Sequence, residues 1–439
     1  MAEHNHHFDP AEMEEWYDFT SSSKRKLIIG MLAGLATLLI GAFLVSKGLG
    51  IGIEHAHEHA EHAAHGHEAH HGLPVWAKRV VANLWMNAEF FTGISVIGMF
   101  FIAIQYLSWA GWSSIIKRIP EAFPAFLPFS GAVLLILYFA FGQELFHWRH
   151  EGVMDPESDH YDKIIAGKSW YLNNAFFVIR TVLYIGLWYG LWVFLRNLSK
   201  QEDEIGGTEW WYKMKNLSRA FVLVFAVTSS TCAWDWAMSI DTHWFSTMFG
   251  WYHFASWHVS GYAVITLTVI FLKEKGYLRS VNENHLHDLG KFMFAFSIFW
   301  TYVWFAQFLL IYYANMPEET IYFRERFSGY GGIYKAPFFI NLIMGFLAPF
   351  LWFMTRDAKR NFTFLKVGAC AILVAHYFDF YQMMMPGIMG EHGGIGLIEW
   401  GTTLFFASAF GFVINNQLTK LSLVAKNHPM LEEAVHHDI

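Results

Sequence analysis

Long apolar stretches alternate with short polar ones along almost the whole chain. A bilayer core takes about 20 mostly apolar residues in a helix. Ten stretches meet that need, at roughly 27–46, 84–110, 122–146, 171–195, 217–240, 250–272, 290–314, 336–355, 362–386 and 395–415. The pattern predicts an all-α polytopic membrane protein with ten transmembrane helices. It divides the chain into an N-terminal tail (1–26), a first span with its long loop (27–83), four spans over 84–240, four over 250–386, a tenth span at 395–415 and a C-terminal tail (416–439). The first stretch does not read as a secretory signal. It follows a mostly polar segment, and Val45-Ser46-Lys47 at its end offers no small-x-small cleavage site. Gly30 and Gly34 within it form a GxxxG, a spacing that suits close helix packing.

Composition agrees. Of 439 residues 54% are hydrophobic and only 15% charged, where a soluble chain carries about 25% charged. With 43 Phe, 20 Trp and 19 Tyr the chain is not a disordered one. A net charge of −7 with no basic stripe argues against nucleic acid as a partner. Cys232 and Cys370 both fall in apolar runs. They are too few for a cluster held by four thiolates and make no secreted disulfide framework.

Basic residues orient the spans. The N-tail, the loops after spans 2, 4, 6 and 8 with their span edges, and the C-tail hold 19 Lys and Arg, against 9 on the opposite side. Both termini are therefore expected in the cytoplasm, with the lipid bilayer as the chain's main surroundings. Asp9-Pro10-Ala11-Glu12 reads as a helix start, with Trp16, Tyr17 and Phe19 expected at the membrane interface. The outer loop at 55–71 holds His55, His57, His59, His62, His65, His67, His70 and His71. Such a cluster can bind Zn, Cu or Ni, but nothing fixes a ligand geometry, and a solvated low-complexity loop is the plainer reading. His4, His6 and His7 are too scattered to be a purification tag.

An ionisable residue inside a span costs a few kcal/mol or more and is a functional candidate by default. Asp235 and Asp379 lie late in spans that enter from the cytoplasm, and Glu144 and His147 end span 3 on the outer side. Glu89, Arg180, His253, His258 and Glu399 lie early in spans that enter from outside. The expected picture is a titratable outer half, with an inner half offering only neutral groups such as Gln105, Ser297, Tyr302 and Gln307. His376 precedes Asp379 by three positions, so the two share a helix face. The ordinary alternative is that these residues cap helix ends or form structural ion pairs. Trp234-Asp235-Trp236 in span 5 is echoed by Phe378-Asp379-Phe380 in span 9. Four spans separate the echoes, which fits two parallel four-helix bundles, spans 2–5 and 6–9, with spans 1 and 10 peripheral.

Three segments carry a family likeness: WDWAMSIDTHWFSTMFG at 234–250, QFLLIYYANMPEETIYFRER at 307–326 and HYFDFYQMMMPG at 376–387. With the span count they resemble the NrfD/PsrC family of quinone-interacting membrane subunits, across spans 2–10. More specifically, the chain is similar to the membrane subunits of alternative complex III, a quinol:cytochrome c oxidoreductase unrelated to cytochrome bc1. Such complexes hold two related ten-span subunits, and the short N-tail ending Ser21-Ser22-Ser23-Lys24-Arg25-Lys26 looks like the second. The resemblance implies a bacterial inner (cytoplasmic) membrane. It implies as partners a related ten-span subunit, an iron–sulfur protein, multiheme cytochrome c subunits and a terminal oxidase. It also implies no covalently bound cofactor here, quinone or menaquinone as the small molecule, and heme and iron–sulfur clusters on the partner subunits. The other of the two ten-span subunits is where the family's quinol site is best placed.

Quinol oxidation releases protons as well as electrons, and His or carboxylate suits their acceptance near neutral pH. Asp235, His376, Asp379, Glu399, Glu144, His147, Arg180 and Glu89 are the candidate proton-transfer or quinol-site cluster. Flanking aromatics could line a quinone slot or serve as packing. Three other readings stand beside this one. The chain could be a structural or docking subunit without its own quinone site. It could be a secondary transporter, with Pro349 after Gly345 breaking span 8. It could be a heme-binding cytochrome using His258 and His376, although no helix shows histidines spaced for two stacked hemes.

Overall fold

The computed structural model describes residues 13–49 and 72–438. The histidine-rich segment 55–71, the opening histidines and the 9–12 helix start lie outside the described residues. Ten helices are long and apolar enough to cross a membrane. They are α1 (Ser21–Ser46), α2 (Val75–Leu107), α3 (Arg118–Leu145), α4 (Asn174–Ile205), α5 (Glu209–Trp236), α6 (Phe249–Glu274), α7 (Glu283–Ala314), α8 (Lys335–Trp352), α9 (Phe362–Met389) and α10 (Leu397–Leu418). An even number of crossings returns both tails to one face, here the tail face; the opposite one is the loop face.

Side-chain caps set several starts. Asn173 accepts from the Phe176 N–H, Asn361 from Thr363 and Phe364, and Asn282 from Asn284 and His285, which satisfies N–H groups that have no intrahelical partner. Gly206, at φ 75°, stops α4. Most spans outrun their apolar windows. α2 begins at Val75 rather than 84, and α4 runs to Ile205 rather than 195. Helices continue beyond the bilayer wherever neighbours still cover them, and hydropathy does not register that part.

α2–α5 pack as one bundle and α6–α9 as another, joined mainly through α2 and α6, the two most buried spans. Their contact is close because Gly93 on α2 faces Trp257 on α6, where an added Cβ would stand 1.9 Å from the indole. α1 and α10 lie outside both bundles, paired with each other. Gly34 and Gly401 let their backbones touch, so the GxxxG of α1 does mark a tight crossing.

The tails tie the tail face together. The Leu423 N–H donates to the Glu15 carbonyl (2.7 Å), Tyr17 Oη donates to Asn415 Oδ1 (2.6 Å), and the Leu278 N–H donates to Glu15 Oε2 (2.5 Å). Tyr17 and Phe19 are thereby buried, against Tyr277 and Phe412, while Trp16 is exposed.

Candidate functional site

In the second bundle, α9 carries His376 and Asp379 one turn apart, both fully buried. Asp379 Oδ1 accepts from the Tyr252 hydroxyl of α6 and from Asn341 Nδ2 of α8 (2.7 Å); Oδ2 accepts from Trp300 Nε1 of α7 (2.8 Å). Three other helices thus converge on one carboxylate, and all three hydrogen bonds come from neutral groups. His376 Nδ1 lies 3.6 Å from Asp379 Oδ2 and 2.9 Å from Ser256 Oγ. Asn341 precedes a π-turn, Ile343–Leu347, that comes directly before Pro349. A proline removes a helical N–H, and the wider turn accommodates that interruption while the helix continues. α8 is locally distorted but not broken.

In the first bundle the corresponding aspartate is held from one helix instead of three. Asp235 on α5 accepts from Arg180 Nε and Nη2 of α4 (2.7 Å each) and from Tyr184 Oη (2.8 Å). The guanidinium also lies against the Tyr171 and Phe176 rings, which meet edge to face beside it. A two-pronged ion pair of this kind fixes geometry strongly.

Between the bundles, His253 Nε2 lies 2.6 Å from Glu89 Oε1, both fully buried. Glu89 Oε2, His253 Nδ1 and Trp257 Nε1 nearby have no hydrogen-bond partner. Glu89 is 14 residues, about 21 Å, into α2, because that helix starts earlier than its apolar window. It is therefore not at a helix end. His258, also on α6, sits in a cage of Phe100, Phe254, Tyr262 and Phe296 with neither ring nitrogen bonded.

The other candidates are placed apart from Asp379. Glu399 receives Arg79 Nε and Nη2 (2.7 Å each), Asn83 Nδ2 (2.9 Å) and the Gly396 N–H (2.7 Å), which saturates it at the start of α10. Glu144 accepts from the Leu73 N–H (2.9 Å) and fastens the loop leading into α2. His147, in a 3-10 turn after α3, borders a surface vestibule of about 220 Å3 with Asp241, His243 and Glu325. Partial burial, with His150 and His243 beside it, lowers the His147 pKa. The eight candidates thus fall into separate groups rather than one cluster.

Two groups were not singled out from sequence. The first is a buried network at the tail face, where the sequence reading expected the orienting basic residues but no buried ion pairs. Lys117 pairs with Glu202 (2.9 Å), Arg118 with Glu121 (2.8 Å) and with Asp203, and Arg196 with Glu121 (3.3 Å). Its sequence signals are the spacing of Arg118 and Glu121 and the series Arg196, Ser199, Glu202 at three-residue steps. The second is Arg326, on the short helix Pro317–Phe327 that lies across the loop face of the second bundle. Pro386 inside α9 has no N–H, so the Gln382 carbonyl loses its helical donor. Arg326 Nε supplies it (2.8 Å), and Nη2 reaches Asp241 (3.1 Å).

Beside Asp379 lies a narrow cavity of about 20 Å3, lined by Tyr252, Trp304, Gln307, Arg326, Asn341 and Gln382 among others. That is room for about one water. Among the described residues no group of His, Cys, Asp and Glu has a metal-holding arrangement.

Fold and site define a class: a polytopic helical membrane protein with carboxylates buried inside two bundles. Comparison with known protein families and with curated proteins finds no match for the chain.

Proposed function

We propose that this chain is an integral membrane subunit of a respiratory quinol:cytochrome c oxidoreductase of the alternative complex III type, and that its second bundle transfers protons toward the outer side of the membrane. The observation that carries the reading is Asp379: a fully buried carboxylate bonded only by neutral donors, with His376 beside it. Such a group can take up and give back a proton without breaking an ion pair. The equivalent Asp235 cannot, because Arg180 holds it. The likeness of 234–250, 307–326 and 376–387 to alternative complex III subunits supplies the setting. The tail face is then cytoplasmic and the loop face outward.

The cavity beside Asp379 is far below the roughly 300 Å3 of a small-molecule pocket. A quinol head group does not fit there, so no quinol step is assigned to Asp379. On this reading quinol is oxidised against the related ten-span subunit, and electrons pass to iron–sulfur clusters and hemes on partner subunits.

The test has two parts. The chain, purified gently from its native membrane, is expected to bring multiheme cytochrome c and iron–sulfur subunits with it. Asp379→Asn is expected to lower quinol:cytochrome c turnover or the protons released per electron while the complex still assembles. Wild-type turnover and coupling in that variant would remove the proton-transfer role. Copurification with no redox subunit would remove the complex.

A further inference from the structure

The cavity beside Asp379 has an unusual lining. Gln307 Oε1, Asn341 Oδ1 and Gln382 Oε1 all lack a hydrogen-bond partner, and their residues are 3%, 5% and 4% exposed. Two of these amides are fixed in orientation by their nitrogens: Asn341 Nδ2 donates to Asp379 and Gln382 Nε2 to the Tyr334 carbonyl (2.6 Å). Their oxygens therefore cannot exchange roles with the NH2 groups. A buried acceptor left bare is unfavourable, and three in one small space call for a donor that donates repeatedly. Water, or a hydrated proton, has that chemistry.

The narrow cavity holds about one water, and Tyr322 stands in the wall both of it and of the surface vestibule that contains Asp241 and Glu325. The cover between them is the helix Pro317–Phe327. Phe323 and Phe327 pack it on Phe308 and Phe338, and its polar ties gather at one residue. Arg326 docks on the Gln382 and Met383 carbonyls and on Asp241, and the Tyr322 ring stacks on Trp244 at 3.8 Å. Both ends of the cover carry left-handed backbone: Asn315 (φ 48°) before it, and Tyr330, Gly331 and Gly332 (φ 51°, 65° and 78°) after it. Such positions suit a hinge, because they interrupt regular structure on either side of a stiff helix.

We infer that the chamber of Gln307, Asn341 and Gln382 is a hydration site for water or hydronium between Asp379 and the outer surface, and that the helix Pro317–Phe327 is its cover, latched by Arg326. The inference rests on the reading of Asp379 as a proton-transfer group and adds how that group reaches solvent. When the latch is closed, Asp379 is sealed. When Arg326 leaves the Pro386 notch and Asp241, water enters and the three amide oxygens gain their donors.

The test reads opening directly, without turnover. Gln307→Cys is placed in a Cys370→Ser background, where the remaining Cys232 is buried. A membrane-impermeant methanethiosulfonate is then applied to the outer side of cells or oriented vesicles. With the native latch, modification is expected to be slower than at Tyr313→Cys, an exposed reporter on α7. Arg326→Ala is expected to raise the Gln307→Cys rate at least about tenfold, as removal of a bias toward the closed state requires. Asp241→Asn, which spares the backbone contacts of Arg326, is expected to raise it by about threefold and decides the matter if Arg326→Ala does not assemble. Equal rates with and without the latch, or a native rate equal to that at Tyr313→Cys, would overturn the cover. Because the readout is chemical access, it stands whether or not Asp379→Asn affects proton release.

Discussion

Arg180 and Asn341 stand at the same place on equivalent helices, six residues in from the first residue of α4 and of α8, and each bonds the aspartate of its own bundle. The two bundles therefore bond their aspartates from equivalent positions here and differ at that position in a charge. Where the first has a guanidinium, the second has a neutral amide. That exchange separates a locked carboxylate from a free one.

The lock has a stability consequence. Asp235→Asn leaves the Arg180 guanidinium buried without its counter-charge, and breaking a buried pair this way typically destabilises by about 3–5 kcal/mol. Thermal unfolding of the purified protein should show that loss. Adding Arg180→Gln should restore much of it, since the uncompensated charge is then gone. A double variant no more stable than Asp235→Asn alone would show that the pair is not what holds α4 to α5.

Asp379→Asn should behave differently. No ion pair is broken, but one amide oxygen can keep either the Tyr252 and Asn341 bonds or the Trp300 bond, so a buried donor loses its acceptor and unfolding should shift by about 1–3 kcal/mol, less than for Asp235→Asn. Proton release should fall all the same. A large loss of stability would mean that Asp379 is structural.

Gly93 can be tested by volume. Gly93→Val places atoms where the Trp257 indole lies, and overpacking of this kind usually costs about 1–3 kcal/mol. The seam between bundles should weaken first, detected as earlier proteolysis between α2 and α6 or a lower melting temperature. Gly186→Val on α4, where a Cβ meets nothing, serves as the control.

His428, on the C-tail, titrates against the fold. Burial, with Lys117 and Arg118 nearby, pushes its pKa well below the ordinary 6.5. Folded and tail-docked, it stays neutral; released, it binds a proton below about pH 6.5. Stability from the docked tail is thus complete above that pH and declines as pH falls toward the depressed folded value. Limited proteolysis of residues 419–438 should accelerate between pH 7 and pH 5, and His428→Asn should flatten the dependence. A pH-independent cleavage rate in wild type would contradict it.

The number of spans, their approximate places and the two-bundle grouping were legible in sequence, because apolar length is a local property and the aromatic-Asp-aromatic echo repeats. What each carboxylate does was not. Arg180 and Asp235 are 55 positions apart, and only the folded α4–α5 contact makes them a pair. Glu399 looked like a candidate until Arg79 and Asn83 filled its oxygens. Depth misled where helices outran the apolar windows: Glu89 moved inward, and Lys117, Arg118, Glu121 and Glu202 became buried though they sit in or beside polar stretches. The Pro386 notch leaves a trace in sequence, a proline in an apolar run, but nothing local names Arg326 as the group that fills it.

The pairing of α1 with α10 bears on how the chain is made. These helices meet along their length at Gly34 and Gly401, yet eight other spans are translated between α1 and α10. At roughly 5–20 residues per second, the intervening chain takes on the order of 20–70 seconds to synthesise. For that interval α1 waits in lipid without its partner. It has the highest hydropathy of the ten spans, at 2.5, and no ionisable group between Leu27 and Ser46. The waiting helix is thus the one the lipid tolerates best alone, and the α1–α10 seam can close only after α10 has inserted.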